Sequence, residues 1–280
     1  MKEKIQKLWK WDINYKIFQK NKNISICDTN IILILHWWWW SSNSWIKVGE
    51  LLQSNWYIVI IPDLPWFWKT KLLEPLTLEW YAQIIEDFTK KIYKKNNWII
   101  LWWHSNGWAI SIKIANREKI KINKLVLNNS AGIRNNNKRN LKRKILKYIL
   151  KINKLKNFNK LKKYITQKNK VVFYENIRKV FYKIIWSRDY INAENNPNLK
   201  QTYLNMIKSD LQEEIKKIKN DTLIIWWKKD TYTPLSDWMY MKKNIKKSKM
   251  IILKNEKHWI HLHNPEKLVE VFIKNKFVGK

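Results

Sequence analysis

The sequence predicts an α/β fold, a mostly parallel central sheet flanked by helices, with an inserted helical segment. Six short runs rich in Ile, Val and Leu alternate with stretches of helical length, the rhythm of strands joined by crossover helices. One long section, 134–218, interrupts that rhythm with polar, helical sequence and no clear strand. In chain order IILILH at 31–36, YIVIIPD at 57–63 and WIILWW at 98–103 read as strands, followed by KLVLNN at 124–129, TLIIWW at 222–227 and KMIILK at 249–254. Helices are expected between them, at about 43–54, 78–93, 106–116, 236–246 and 265–275. The last opens on Asn264-Pro265-Glu266, a capping residue followed by proline at the first helical position. The expected organisation is a core of 1–133 and 219–280 and a helical cap, or lid, of 134–218.

A chain of 280 residues can bury one large core, and α/β folds often use this length as one domain with an insertion. The single cysteine, Cys27, excludes an intramolecular disulfide and fits a reducing cytoplasm. The first residues, MKEKIQKLWKWDINYK, hold no continuous apolar stretch behind their charges, so no signal peptide is expected. The longest apolar run, 31–40, contains His36 and is far shorter than the roughly 20 residues of a spanning helix. A soluble, cytoplasmic protein is expected. No P-loop, dinucleotide fingerprint or metal-ligand cluster is present, and His261 with His263 offers too few ligands for a metal, so neither cofactor nor metal is expected.

The net charge of +34 invites a nucleic-acid or anionic-membrane reading. Only six of the 56 basic residues are Arg, and Lys, Asn and Ile abound throughout, as an AT-rich genome would impose on surface positions. Arg is the specialist for phosphate forks, so the composition argues against specific nucleic-acid binding. Residues 134–170 hold 15 basic side chains and no acidic one, with Leu141, Ile145, Ile149 and Ile152 at helical spacing. Such a basic amphipathic helix suits weak association with anionic lipid or an acidic substrate. The favoured reading is a cap helix with its apolar face over the site and its lysines outside.

Tryptophan is the anomaly. The chain has 20 Trp against 4 Gly, whereas average usage of about 7% predicts roughly 20 glycines. Glycine serves where φ is positive or where backbones approach within a side chain's width, which an indole cannot do. The Trp residues cluster in HWWWWSSNSW at 36–45, DLPWFWKT at 63–70, LWWHSNGW at 101–108 and LIIWWKKD at 223–230. With Gly for selected Trp these become HGWGGSSNSW, DLPGFGKT, LWGHSNGG and LIIWGKKD. All four then resemble the α/β-hydrolase family, in the right order and at sensible spacing. The resemblance covers about 28–275 and is least specific in the cap. The pattern points to UGA codons that mean Gly but were translated as Trp. On this reading Trp37, Trp39, Trp66, Trp68, Trp103, Trp108, Trp186, Trp227 and Trp238 fall at Gly sites, Trp40 and Trp56 join them, and Trp45 and Trp226 are genuine.

The resemblance assigns roles. Trp103-His104-Ser105-Asn106-Gly107 lies between a predicted strand and helix, the context of a G-x-S-x-G nucleophile elbow; Gly107 and the positions of Trp103 and Trp108 must be small there. The competing reading of Ser105 is an ordinary helix N-cap. A serine needs a base, and the chain has five histidines. His36 belongs to the turn after the first strand and His104 to the elbow. His258 follows the last strand and stands six residues before Asn264-Pro265-Glu266, which resembles the family's catalytic-histidine loop. His261 and His263 are expected to face solvent or the substrate mouth. Asp230, in WKKDTYTP, resembles the family's acid loop, and the order Ser105, Asp230, His258 is the family's; a solvated loop aspartate is the alternative. The resemblance places the oxyanion-hole N–H groups at Asn106 and Trp38, with Trp37 in the tight turn before Trp38.

The expected function is a serine hydrolase acting on an ester-like bond of a small molecule through an acyl-enzyme. Carbon–carbon bond hydrolysis of the capped type is the runner-up and acyl transfer the third. A noncatalytic basic protein binding anionic surfaces is the alternative from another class.

Overall fold

The computed structural model describes residues 1–20, 31–36, 40–70, 74–93, 98–104, 108–128, 193, 195–228, 235–256 and 258–275. Its strands are β1 (Lys2–Lys7), β2 (Asp12–Phe18), β3 (Ile31–Leu35), β4 (Ile58–Pro62), β5 (Ile99–His104), β6 (Ile122–Asn128), β7 (Asp221–Trp227) and β8 (Ser248–Leu253). They form one sheet in the order β1-β2-β4-β3-β5-β6-β7-β8. All pairs from β4 through β8 are parallel, whereas β2 runs antiparallel to both β1 and β4. Every residue of β3, β4 and β5 is buried, as expected of central parallel strands covered on both faces.

The helices are α1 (Ile46–Ser54), entered through a 3₁₀ turn at Ser42–Trp45, α2 (Leu78–Ile92), α3 (Trp108–Arg117), α4 (Pro197–Lys208), α5 (Gln212–Lys216), α6 (Leu235–Asn244), α7 (Ile260–His263) and α8 (Pro265–Lys274). On one face of the sheet α1 and α8 complete a core that joins Phe18, Trp45, Trp102, Trp227, Leu268 and Phe272. Phe272 sets its ring 4.7 Å from Trp102 and 5.6 Å from Tyr57, centroid to centroid. Gly49 lets α1 approach β2, since an added Cβ would stand 2.7 Å from the Phe18 ring. Asn264 caps α8 by accepting the Lys267 N–H, with Pro265 in its first turn. On the other face Glu86 of α2, fully buried, accepts from Arg117 Nε at 2.8 Å, and Arg117 Nη1 reaches Glu79 at 2.9 Å. These pairs fix α3, the helix that follows residues 105–107, because a buried carboxylate is tolerated only when paired.

The chain divides into two compact units, Met1–Ile133 with Leu204–Lys280, and Arg134–Tyr203. Residues 204–218, grouped with the insertion on sequence, fall in the first unit, where Glu214 of α5 binds Lys113 and Asn116 of α3. The basic segment 134–170 lies outside the described residues. Among the described residues no helix is long and apolar enough to cross a membrane.

Four non-glycine residues among those described have positive φ, and three are Trp: Trp56 (68°), Trp66 (79°) and Trp68 (52°), beside Glu118 (51°). Each tryptophan sits in a turn of definite type. After α1, the Trp56 N–H donates to the Gln53 carbonyl at 3.0 Å and the Tyr57 N–H to that of Leu52 at 3.1 Å. Those two bonds define a Schellman cap, whose left-handed residue is usually glycine. The Phe67 N–H donates to the Leu64 carbonyl at 2.9 Å, with Pro65 second and Trp66 third, the dihedral and sequence order of a type II turn that calls for Gly at the third position. The Thr70 N–H then donates to the Phe67 carbonyl at 3.1 Å. Of that turn's two central residues only Trp68 has positive φ, the type II′ pattern with Gly at its first central position.

Candidate active site

Because β3, β5, β6, β7 and β8 are parallel, their carboxyl ends share one edge of the sheet, the edge at which open α/β sheets bind ligands. His36 follows β3, Ser105 follows β5, Asp230 stands three residues past β7, and His258 five past β8. β5 ends at His104 and α3 begins at Trp108, so residues 105–107 join a strand to a helix. Ser105, Asn106, Gly107, Asp230, Trp37, Trp38 and Trp39 lie outside the described residues, as does the side chain of Trp108. Trp103 is wholly buried in β5, and its indole Nε1 has no hydrogen-bond partner among the described residues. An orphaned buried donor of that kind costs about 1–3 kcal/mol.

His258 is buried beside His104 and His261. The His104 ring centroid lies 4.9 Å from that of His258 and 4.8 Å from that of His261. His104 Nε2 stands 2.8 Å from the His258 carbonyl oxygen. A carbonyl can only accept, so His104 is the Nε2–H tautomer and donates. Burial, with His261 and His258 close by, pushes the His104 imidazole well below the ordinary histidine value and keeps it neutral.

His261 corrects an expectation. Rather than facing solvent or the substrate mouth, it is 2% exposed and stacks on Trp45 at 4.5 Å with the rings 11° from parallel. The single turn of α7 turns Ile260 and His261 inward and leaves Leu262 and His263 outside. Burial is the main reason its pKa falls to about 3, with His258 and His263 adding to the effect. A neutral imidazole stacked on indole behaves as an aromatic core residue.

A second buried network, not anticipated from sequence, holds the chain after β3. Asp63 Oδ1 accepts the Ser42 N–H at 2.7 Å and Oδ2 accepts Asn14 Nδ2–H at 2.7 Å. His36 Nε2 accepts the Leu64 N–H at 2.9 Å. Residues 36 and 42, which precede and follow positions 37–39 in the chain, are thus tied to the end of β4. The available signal was the aspartate opening DLPWFWKT, but its partners are distant in sequence. Among the described residues no group of three or more His, Cys, Asp or Glu side chains could hold a metal.

A family model, the alpha/beta hydrolase fold, matches residues 30–265. The chain belongs to the alpha/beta hydrolase fold family. Solved structures share its architecture. An alpha/beta hydrolase enzyme from a Medee basin deep-sea metagenome library aligns over 99% of each chain at 17% identity and a TM-score of 0.67. A thermophilic esterase from Thermogutta terrifontis aligns over 98% of this chain and 97% of its own, at 16% identity and a TM-score of 0.65. A meta-cleavage product hydrolase aligns over 97% and 96%, at 16% identity and a TM-score of 0.63. No curated protein matches the chain. As a member of this family the protein is a hydrolase.

Proposed function

We propose that this hydrolase cleaves an ester-like bond of a small molecule by way of an acyl-enzyme. Ser105 attacks the carbonyl carbon; His258 takes the serine proton and returns it to the leaving alcohol; Asp230 orients His258. The N–H groups of Trp38 and Asn106 receive the oxyanion, each worth on the order of 10²-fold or more in rate. The observation that carries this reading is the His104 bond to the His258 carbonyl, which ties the backbone of the candidate base to the residue directly before the candidate nucleophile. A fluorophosphonate probe should modify the intact protein once, on the tryptic peptide holding Ser105. Labelling elsewhere, or none, would refute the assignment. Hydrolysis of a carbon–carbon bond by the same triad is the second reading, since a meta-cleavage product hydrolase shares the fold. Turnover of a chromogenic short-chain ester favours the first.

We propose further that Trp56, Trp66, Trp68 and Trp103, with Trp37, Trp39 and the other positions named from sequence, are glycines in the natural protein, encoded by UGA. Three turns of different type each place Trp at the position that glycine normally fills, which is independent support for what the motif strings suggested. Peptide mass spectrometry of protein from the native organism should find Gly at 66 and 68. Finding Trp there would end the proposal.

A further inference from the structure

We infer that His104, whose ring the triad does not use, is a positioning residue that pins the histidine loop to the nucleophile strand. The inference rests on the Ser105 and His258 reading above. His104 is the last residue of β5 and is locked in register with Asn128 of β6. Its ring is fully buried, with Trp45 at 6.1 Å, Trp227 at 6.4 Å and Trp259 at 5.8 Å between centroids. From this anchorage its Nε2–H holds the His258 carbonyl at 2.8 Å. One peptide bond separates His104 from Ser105, and the carbonyl it grips belongs to His258 itself. A path of one residue and one hydrogen bond therefore links nucleophile to base. Along the chain His104 and His258 are 154 positions apart.

Proton transfer needs the imidazole within hydrogen-bond reach of the serine hydroxyl, and a displacement of about 1 Å can cost on the order of 10²-fold. The strut also has to stay neutral. A neutral Nε2–H ring makes the bond without placing a second positive charge beside the imidazolium that His258 becomes, and burial supplies that neutrality. A lysine or arginine here could donate the same bond but would oppose the charge that develops on the base.

The test uses the full chain with the glycines proposed above. Gln at 104 carries an N–H donor at the same bond count from Cβ as His Nε2, whereas Leu removes it. His104→Leu should lower kcat for a short-chain ester by about 10- to 100-fold with KM within about twofold. His104→Gln should recover most of that loss. In nitrogen-15 spectra of His-labelled protein, the resonance lost in His104→Gln should be a slowly exchanging Nε2–H tautomer that stays neutral as the pH falls through the ordinary imidazole range. Equal slowing of the Gln and Leu variants would overturn the positioning role, as would a rise in KM at unchanged kcat or a His104 that titrates as an exposed imidazole. If the Leu variant does not fold, the Gln variant and the tautomer still decide. A wild type that no fluorophosphonate labels removes the hydrolase reading, and the positioning role with it. A labelled wild type whose Gln and Leu variants are slowed alike removes the positioning role alone.

Discussion

Ser105→Ala is expected to lower kcat for an ester substrate by about four to six orders of magnitude, with KM little changed. His258→Ala should cost a similar factor, and the double variant should fall no further than the worse single one, because nucleophile and base act as one unit. The hydroxyl is a weak nucleophile until its proton is taken, so removing either partner ends covalent catalysis and leaves only what the oxyanion donors and substrate binding supply. Asp230→Asn should cost about 10⁴-fold by favouring the wrong tautomer of the base. Steady-state and single-turnover kinetics on the four variants measure all of this. A double variant whose loss equals the product of the two single losses would show that Ser105 and His258 act separately, and the triad would be wrong.

What the sequence disclosed follows from how local each signal is. β3 through β8 were legible because each is a run of apolar, often β-branched residues, and observed bounds such as Ile58–Pro62 lie within a residue or two of expectation. The pair β1 and β2 was not anticipated. β1 reads KEKIQK and is exposed on both faces, an edge strand with no buried side to imprint an alternation. Inside the site, the parts that escaped are those whose partners are remote. His261 reads as polar in KHWIHLHN, and remote rings, Trp45 more than two hundred residues earlier and His104, make it a core ring. His104 was placed in the elbow by its motif, yet the direction of its Nε2–H depends on a carbonyl 154 residues away. Asp63 joins Asn14 and Ser42 across three separate elements. Backbone demands were more legible than side-chain partners, because glycine positions are written into short turn motifs.

Those backbone demands lead to the second large effect. Replacing Trp56, Trp66 and Trp68 together with glycine is expected to stabilise the printed chain by about 3 kcal/mol, although exchanging large side chains for glycine ordinarily destabilises a fold. Left-handed backbone costs an L-residue about 1–2 kcal/mol, so the three sites together store about 3–6. Glycine's freer unfolded chain takes back about 0.4–1 at each. The side chains lost have little to set against the gain. Trp56 and Trp68 are 64% and 62% exposed; Trp56 contributes a contact with Lys20 Nζ at 3.9 Å, worth about 0.5–1 at a surface. The Trp66 indole Nε1 is buried with no partner among the described residues, so its removal also lifts a desolvation penalty of about 1–3. At roughly 2–4 °C per kcal/mol for a chain of this size class, the triple variant should melt about 6–12 °C higher. Trp80→Gly provides the contrast. It lies inside α2 and is also largely exposed, but its φ is not positive, so glycine there should lose up to about 1 kcal/mol. Thermal melts of the two variants beside the parent separate the explanations. If the triple variant melts lower, as Trp80→Gly should, the indoles at 56, 66 and 68 support their turns and glycine is not what those positions require.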